Sequence, residues 1–348
     1  MAEQIHYLKQ EEKQNTRGMY ESVFAEDSGE FVDYYYQWKI RDNRILVMED
    51  EAGYEVMIHF NPYQLKIKGK CVEVPYIVAV ATRADSRRKG KMQQVMERAL
   101  QDLQKAHCPF TFLLPANPAY YYGQGFVYVP KLPLKKEKVQ KTRAMQNIQN
   151  EIHFSVKRLE MEQVEEITKT ANQILEQQYD VYVRRDAAYY ERLQAETASE
   201  NGAVLVVEAM EKVIGILSYG KEEQAEIKEF LLIQQYEHQK EEICNQVFGE
   251  GGWREEGMQM MFRITDLQAL SGMLKGEPET WTVQVRDSFV EKNNGIWKIE
   301  WNLQGGSVSQ LDTESTKEKQ TRKMTVVDIA KITEKVTENW KVFIQEWV

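Results

Sequence analysis

The chain has 348 residues, too many for one ordinary core, so two or three domains are expected. Hydrophobic residues make up 42% and charged residues 28%, ordinary values for a globular protein, and no apolar run approaches the ~18–20 residues needed to span a bilayer. A formal net charge of -9 argues against a nucleic-acid binder and suits cationic small molecules better.

The opening MAEQIHYLKQEEK is polar and lacks the apolar core of a secretory signal. The three cysteines, Cys71, Cys108 and Cys244, are far apart and odd in number, which points to a reducing, cytoplasmic setting. Residues 45–60, ILVMEDEAGYEVMIHF, read as two strands around a polar turn at Glu49–Gly53. KCVEVPYIVAVAT (70–82) is a longer strand with a nearly continuous apolar end at Tyr76–Ala81, as in a strand buried on both faces. SRRKGKM (86–92) follows at once. A helix then runs to about Ala106, because Met92, Val95, Met96, Ala99, Leu100 and Leu103 recur at helical spacing. PFTFLLPA (109–116) is a second buried-type strand. NPAYYYGQG makes a turn with a short helix, and FVYVPKL (126–132) is a further strand.

Residues 135–151 are polar and charge-rich, which places a domain boundary there, so the first unit is 1–150. HFSVKRLEMEQVEEITKTANQILEQ then reads as strand and helix. AVLVVEAMEKVIGILSYG (203–220) is a hairpin that echoes the first, LVVEAMEKVIGIL against LVMEDEAGYEVMI. A strand, EIKEFLLIQ (226–234), and the helical EEICNQVFG follow. This is a weak internal duplication spanning a second unit, 151–255. The third unit, 256–348, opens with MQMMFRITDLQALSGML, read as strand and helix, and continues with alternating strands around EKNNG (291–295). The chain ends on WKVFIQEWV, an apolar tail that expects burial.

A strand, a glycine-containing turn and a helix together make an anion site. The first helical N–H groups lack intrahelical acceptors, and the helix dipole adds positive potential there. Gly90 lets a phosphate approach closely, and Arg88, Lys89 and Lys91 add charge. A bare RRKGK is also what a solvated helix start looks like. The upstream glycine of a P-loop is absent, and so is GxGxxG.

The order of parts around this turn decides between the two. YIVAVATRADSRRKGKMQQVMERAL resembles the acetyl-CoA motif of the GNAT N-acetyltransferases, (R/Q)xxGx(G/A), with Arg87, Gly90 and Met92 at its positions; Met92 departs from the usual small residue. FLLPANPAYYYGQGFVYV resembles the next motif, Y-x-x-x-G-F, at Tyr121, Gly125 and Phe126. With a second degenerate copy and a third unit, the whole chain resembles the enhanced-intracellular-survival (Eis) type. That resemblance implies an α/β and α+β architecture: two tandem GNAT folds, each a partly splayed mixed sheet flanked by helices, before a sterol-carrier-protein-like domain.

The resemblance also implies the chemistry, direct attack of an amine on acetyl-CoA in a ternary complex. Val80, Ala81 and Thr82 would pair with the pantetheine arm. Arg88, Lys89, Gly90, Lys91, Met92 and Gln93 would cradle the pyrophosphate, with Ala116 and Asn117 beside the cofactor. Tyr121 would be the general acid, and the terminal carboxylate of Val348 the base. Phe24, Glu26, Trp38 and Glu346 are the counterparts of the family's amine pocket. Polyamines, aminoglycosides and lysine side chains all remain as acceptors. The second unit has QYEHQKEE where the first has SRRKGKM, so one active site per chain is expected. The family's trimers or hexamers imply a homo-oligomer.

The five histidines show neither HxxxH nor HExxH spacing and no cysteine pair is CxxC, so no metal is expected. Two other readings stand beside the transferase: a lipid-binding protein using Trp281, Trp297 and Trp301 of the last unit, and a non-catalytic scaffold.

Overall fold

A computed structural model describes residues 4–128, 153–221, 223–255, 259–312, 322–326, 328 and 340–346. The first unit runs through β1 (Gln4–Tyr7), α1 (Arg17–Val23), α2 (Gly29–Trp38), β2 (Arg44–Asp50), β3 (Gly53–Ile67), β4 (Lys70–Thr82), α3 (Lys91–Lys105), β5 (Phe110–Leu113), α4 (Ala119–Tyr122) and β6 (Val127–Tyr128). β1 to β4 pair antiparallel in chain order, and β5 returns parallel to β4 after α3. The apolar stripe of α3, Val95, Met96, Ala99 and Leu100, covers one sheet face with Ile58, Phe60, Tyr76 and Phe112. On the other face Tyr20, Tyr34, Tyr35 and Tyr36 of α1 and α2 pack on Ile45, Val47, Met57 and Ala81. Alternating strand residues feed the two layers, as period-two geometry requires.

The second unit is β7 (Phe154–Arg158), α5 (Val164–Gln178), β8 (Val181–Val183), α6 (Ala187–Ser199), β9 (Ala203–Ala209), β10 (Lys212–Lys221), β11 (Ala225–Leu232), α7 (Lys240–Phe248) and β12 (Trp253–Glu255). Its sheet order is β12-β11-β10-β9-β7. α5 and α6 cover one face through Ile167, Leu175 and Tyr190, and α7 covers the other through Ile243 and Cys244. The strand–helix–parallel-strand step recurs, since β12 pairs parallel with β11 after α7.

The last strands are β13 (Met261–Ile264), β14 (Glu279–Arg286), β15 (Gly295–Trp301), β16 (Gly306–Leu311), β17 (Arg322–Thr325) and β18 (Val342–Phe343). Four of them form a separate sheet in the order β16-β15-β14-β17. Three strands cross the boundaries expected from sequence. β13, expected to open the third unit, lies between β5 and β6 in the first unit's sheet. β8 pairs with β3, and β18 pairs parallel with β8, so the chain end is stitched to the first unit's sheet through the second unit. The helix expected after β13 is only a 3-10 turn at Gln268–Gly272: Asp266 Oδ1 accepts from the N–H groups of Gln268 and Ala269, and Gly272 ends it. Trp297 and Trp301 are buried in the third unit's core, with Trp281 packed at its edge. No helix among the described residues is long and apolar enough to cross a membrane.

Candidate active site

The site begins at a defect in β4. His59 pairs with Val78 and Met57 with Ala81, so three steps of β4 face two of β3, and Ala79 takes up the surplus at φ +49°. β4 meets β5 only at Tyr76–Phe112 and Ile77–Leu113. From Val78 to Thr82, β4 has no ladder on that side, because β5 ends at Leu113. Val80 and Thr82 are half-buried along this opening, while Ala81 is buried in the α1–α2 layer.

The turn between β4 and α3 is braced from beneath. Arg83 Nη2 lies 2.9 Å from Asp50 Oδ2, and Arg83 Nε 2.7 Å from Asp85 Oδ1. The hydrogen bond from Arg83 holds the Asp50 carboxyl down at about 2. Glu55 of β3, nearly inaccessible, accepts from Ser86 Oγ at 2.8 Å and from Lys91 Nζ. The lysine charge is thereby met inside the protein. Arg87 Nε donates to Thr82 O at 3.0 Å.

Above these braces the backbone curls outward. Arg88 (φ +63°) and Gly90 (φ +76°) are both left-handed, a geometry that presents successive N–H groups to a concave surface. Gly90 is the N-cap of α3; no side chain caps that end and no acid sits in its first turn. A Cβ built on Gly90 would meet nothing within 4 Å, so the turn is open on that side. Arg88 and Lys89 are exposed, and neither is in an ion pair among the described residues. Gln93 is exposed beside them. Met92 turns inward instead, its Sδ 3.3 Å from Gln124 Nε2, and fills the seam between α3 and the turn after α4.

Ala116 and Asn117 are exposed beyond the end of β5, and Asn117 Oδ1 accepts from Ala119 N–H at 3.0 Å to start α4. The three tyrosines of α4 separate cleanly. Tyr120 and Tyr122 are 61% and 53% exposed, whereas Tyr121 is 8% exposed and meets Phe126 edge-on at 5.7 Å. Burial pushes the Tyr121 phenol up to about 12. Gly125 (φ +84°) is obligatory, because a Cβ there would come within 2.7 Å of Arg263 Nε, whose guanidinium pairs with buried Asp287.

The other sequence candidates are spread more widely. Phe24 caps α1 with its ring 4.7 Å from Tyr20, and Glu26 is exposed in the next loop. Trp38 lies at the far end of α2, about 15 Å along the helix from that loop, with the Arg41 guanidinium 4.2 Å over its ring. Phe24 and Trp38 both pack at the edge of the tyrosine-rich layer of α1 and α2. Glu346 is buried, and both its oxygens are engaged, by Arg185 Nη1 at 3.0 Å and Tyr189 Oη at 3.3 Å. Val348 lies outside the described residues. Glu55 and the Ala79 bulge escaped the sequence reading. Glu55 had one signal, a lone carboxylate inside the apolar run YEVMIHF.

Residues 4–129 match the acetyltransferase (GNAT) domain family. No curated protein matches the sequence. Among solved structures the chain is similar to a conserved protein of unknown function from Enterococcus faecalis, a probable N-acyltransferase (16% identity, TM-score 0.72, 95% of this chain and 89% of that one). It is also similar to a GCN5-related N-acetyltransferase from Anabaena variabilis (13%, TM-score 0.66, 96% and 92%) and to Eis1 from Mycobacterium abscessus (10%, TM-score 0.63, 94% and 89%). At these identities the likeness is one of fold. It extends over nearly the whole chain and fits two tandem GNAT folds.

Proposed function

We propose that this chain, an acyltransferase with a GNAT domain at residues 4–129, transfers acetyl from acetyl-CoA to a primary amine of a cationic small molecule or of a lysine side chain. The observation that carries the reading is the open edge of β4 past β5, ending at an uncapped, acid-free helix N-terminus with Arg88 and Lys89 beside it. Bound acetyl-CoA supplies an acyl group activated as a thioester.

The chain's own groups do the rest. The N–H groups of Gly90 to Gln93, with Arg88 and Lys89, hold the pyrophosphate. Lys91 supports that turn through Glu55. The open edge of β4 from Val78 to Thr82 pairs with the pantetheine arm. Ala116 and Asn117 flank it. Tyr121 keeps its proton at Oη well above neutral pH, since burial raises the phenol, and offers it to the leaving sulfur, whose free thiol has a pKa of ~8.5. The Val348 carboxylate orients the amine and takes its proton, directly or through a water. Phe24 and Glu26 line the acceptor side, and the chain's net charge of -9 steers cations toward it.

Assembly as a homo-oligomer, trimer or hexamer, belongs to the same reading and is checked by light scattering. The sterol-carrier-like reading of the last unit rests on the family resemblance, and its packed tryptophans favour a structural role over lipid carriage. The deciding experiment follows thiol release with acetyl-CoA and a panel of polyamines, an aminoglycoside and a lysine peptide. Turnover with at least one class, lost in Tyr121→Phe, supports the reading. Absence of acetyl-CoA binding by the folded wild type overturns it.

A further inference from the structure

The described residues of the second unit show no anion cradle like that at Arg88–Gly90, yet they hold a fully buried cation. Arg185, just after β8, has a fully inaccessible side chain. Its Nη2 pairs with Glu229 of β11 and its Nη1 with Glu346 of the tail at 3.0 Å. The guanidinium lies 4.0 Å over the Tyr189 ring, and the Tyr189 hydroxyl donates to Glu346 Oε2 at 3.3 Å. The Arg185 backbone is fixed as well: its N–H donates to Asn172 Oδ1 at 3.1 Å and its carbonyl accepts from Asn172 Nδ2 at 2.8 Å.

The tail's strand pairs Val342 with Val181 and Phe343 with Tyr182, and at its entry the Lys341 carbonyl accepts from the Asp180 and Val181 N–H groups while the Lys341 N–H donates to Asp180 Oδ2 at 2.9 Å. The Arg185–Glu346 pair holds the same register three residues past the last rung, nearest the chain end. A slip of one residue would move the chain end by ~3.3 Å, more than a hydrogen bond tolerates. It would also bring Gln345 or Trp347 to the guanidinium and leave a buried cation with Glu229 alone. Buried ion pairs add little net stability over apolar packing, and fixing register is their best-attested use.

We propose that Arg185, set between Glu229 and Glu346, is a positioning residue by which the second unit fixes the register of the C-terminal tail; its effect on turnover rests on the reading that the chain end serves the first unit's site. Glu346 then anchors the tail and does not contact the amine.

The test is Glu346→Ala in the full chain, since Arg185 keeps Glu229 as partner and the fold is spared. Amide exchange over residues 342–346 should quicken by about tenfold or more, the factor for losing a charge-assisted hydrogen bond, while the remaining sheet is unchanged. kcat should fall with acetyl-CoA affinity unaltered, and Glu346→Gln, which keeps shape and hydrogen bonding to the guanidinium, should restore most of the protection. Unchanged exchange overturns the proposal, and if the amine KM rises at the same time, Glu346 is an amine contact instead. Faster exchange with full turnover keeps the clamp and sinks the terminal-carboxylate reading. The exchange readout holds even if no amine is acetylated.

Discussion

The two GNAT-like units share a skeleton and differ at one turn. Each has a central hairpin and a third strand that carries a bulge: Ala79 on β4, and Lys228 on β11, where Ser218 pairs with Glu229 but Tyr219 with Ile227. Each follows that strand with a helix and a parallel strand paired only before the third strand's bulge. In the first unit the turn is left-handed at two residues and enters α3 through Gly90 with no acid in the first turn. In the second, a 3-10 segment (Gln234–Gln239) leads into α7, whose first turn carries Glu241 and Glu242. Beyond the bulge there, Leu231 is buried in one packing layer and Phe230 and Leu232 in the other, and Lys228 donates to Glu200 at 2.6 Å. An open strand edge alone is therefore not enough for a cofactor site. On the proposed reading the open, cationic turn at its end makes the first unit's edge one, while the second unit's Arg185 and Glu229 face the tail.

Several substitutions sharpen or break this contrast. Adding two residues after Val348 should lower kcat about 1000-fold with acetyl-CoA affinity intact, the scale of a lost general base. Steady-state kinetics beside calorimetry decides this, and unchanged kcat removes the chain end from the chemistry. Tyr121→Phe should cost about 100-fold in kcat and leave the acetyl-CoA Kd within about threefold. Because burial raises the phenol to about 12, ionisation of Tyr121 should produce no loss of rate below pH ~11, and a rate-limiting pKa near 10 that vanishes in Tyr121→Phe would contradict its buried placement. Gly90→Ala should destabilise the protein by about 1 kcal/mol, from left-handed strain alone since the added methyl meets open space, as read by denaturant titration. Glu241→Gln with Glu242→Gln should do least, shifting stability by no more than about 0.5 kcal/mol and creating no second cofactor site.

Local features were legible in the sequence. The strand pair expected at 45–60, whose second strand runs on to Ile67, α3 with its glycine entry, and Tyr121 as the motif tyrosine each follow from spacing or motif. What escaped depends on distant partners. Ala79 becomes a bulge only because the β3–β4 ladder is out of step, and nothing in IVAVAT marks that alanine. β8 and β13 pair outside their own segments, and long-range pairing leaves no local periodicity to read. Arg185 sits in VYVRRDAAYY as one of two adjacent arginines, and its partners are 44 and 161 residues away.

The central claim is one acetyl-CoA site per chain, at the turn from Arg88 to Gln93. Isothermal titration of acetyl-CoA into the wild type and into Arg88→Glu/Lys89→Glu tests it most directly. The account predicts one site per chain in the wild type and an affinity about 100-fold weaker in the variant, where two cations beside the pyrophosphate become anions. No binding, two sites per chain, or equal affinity in the variant would contradict it.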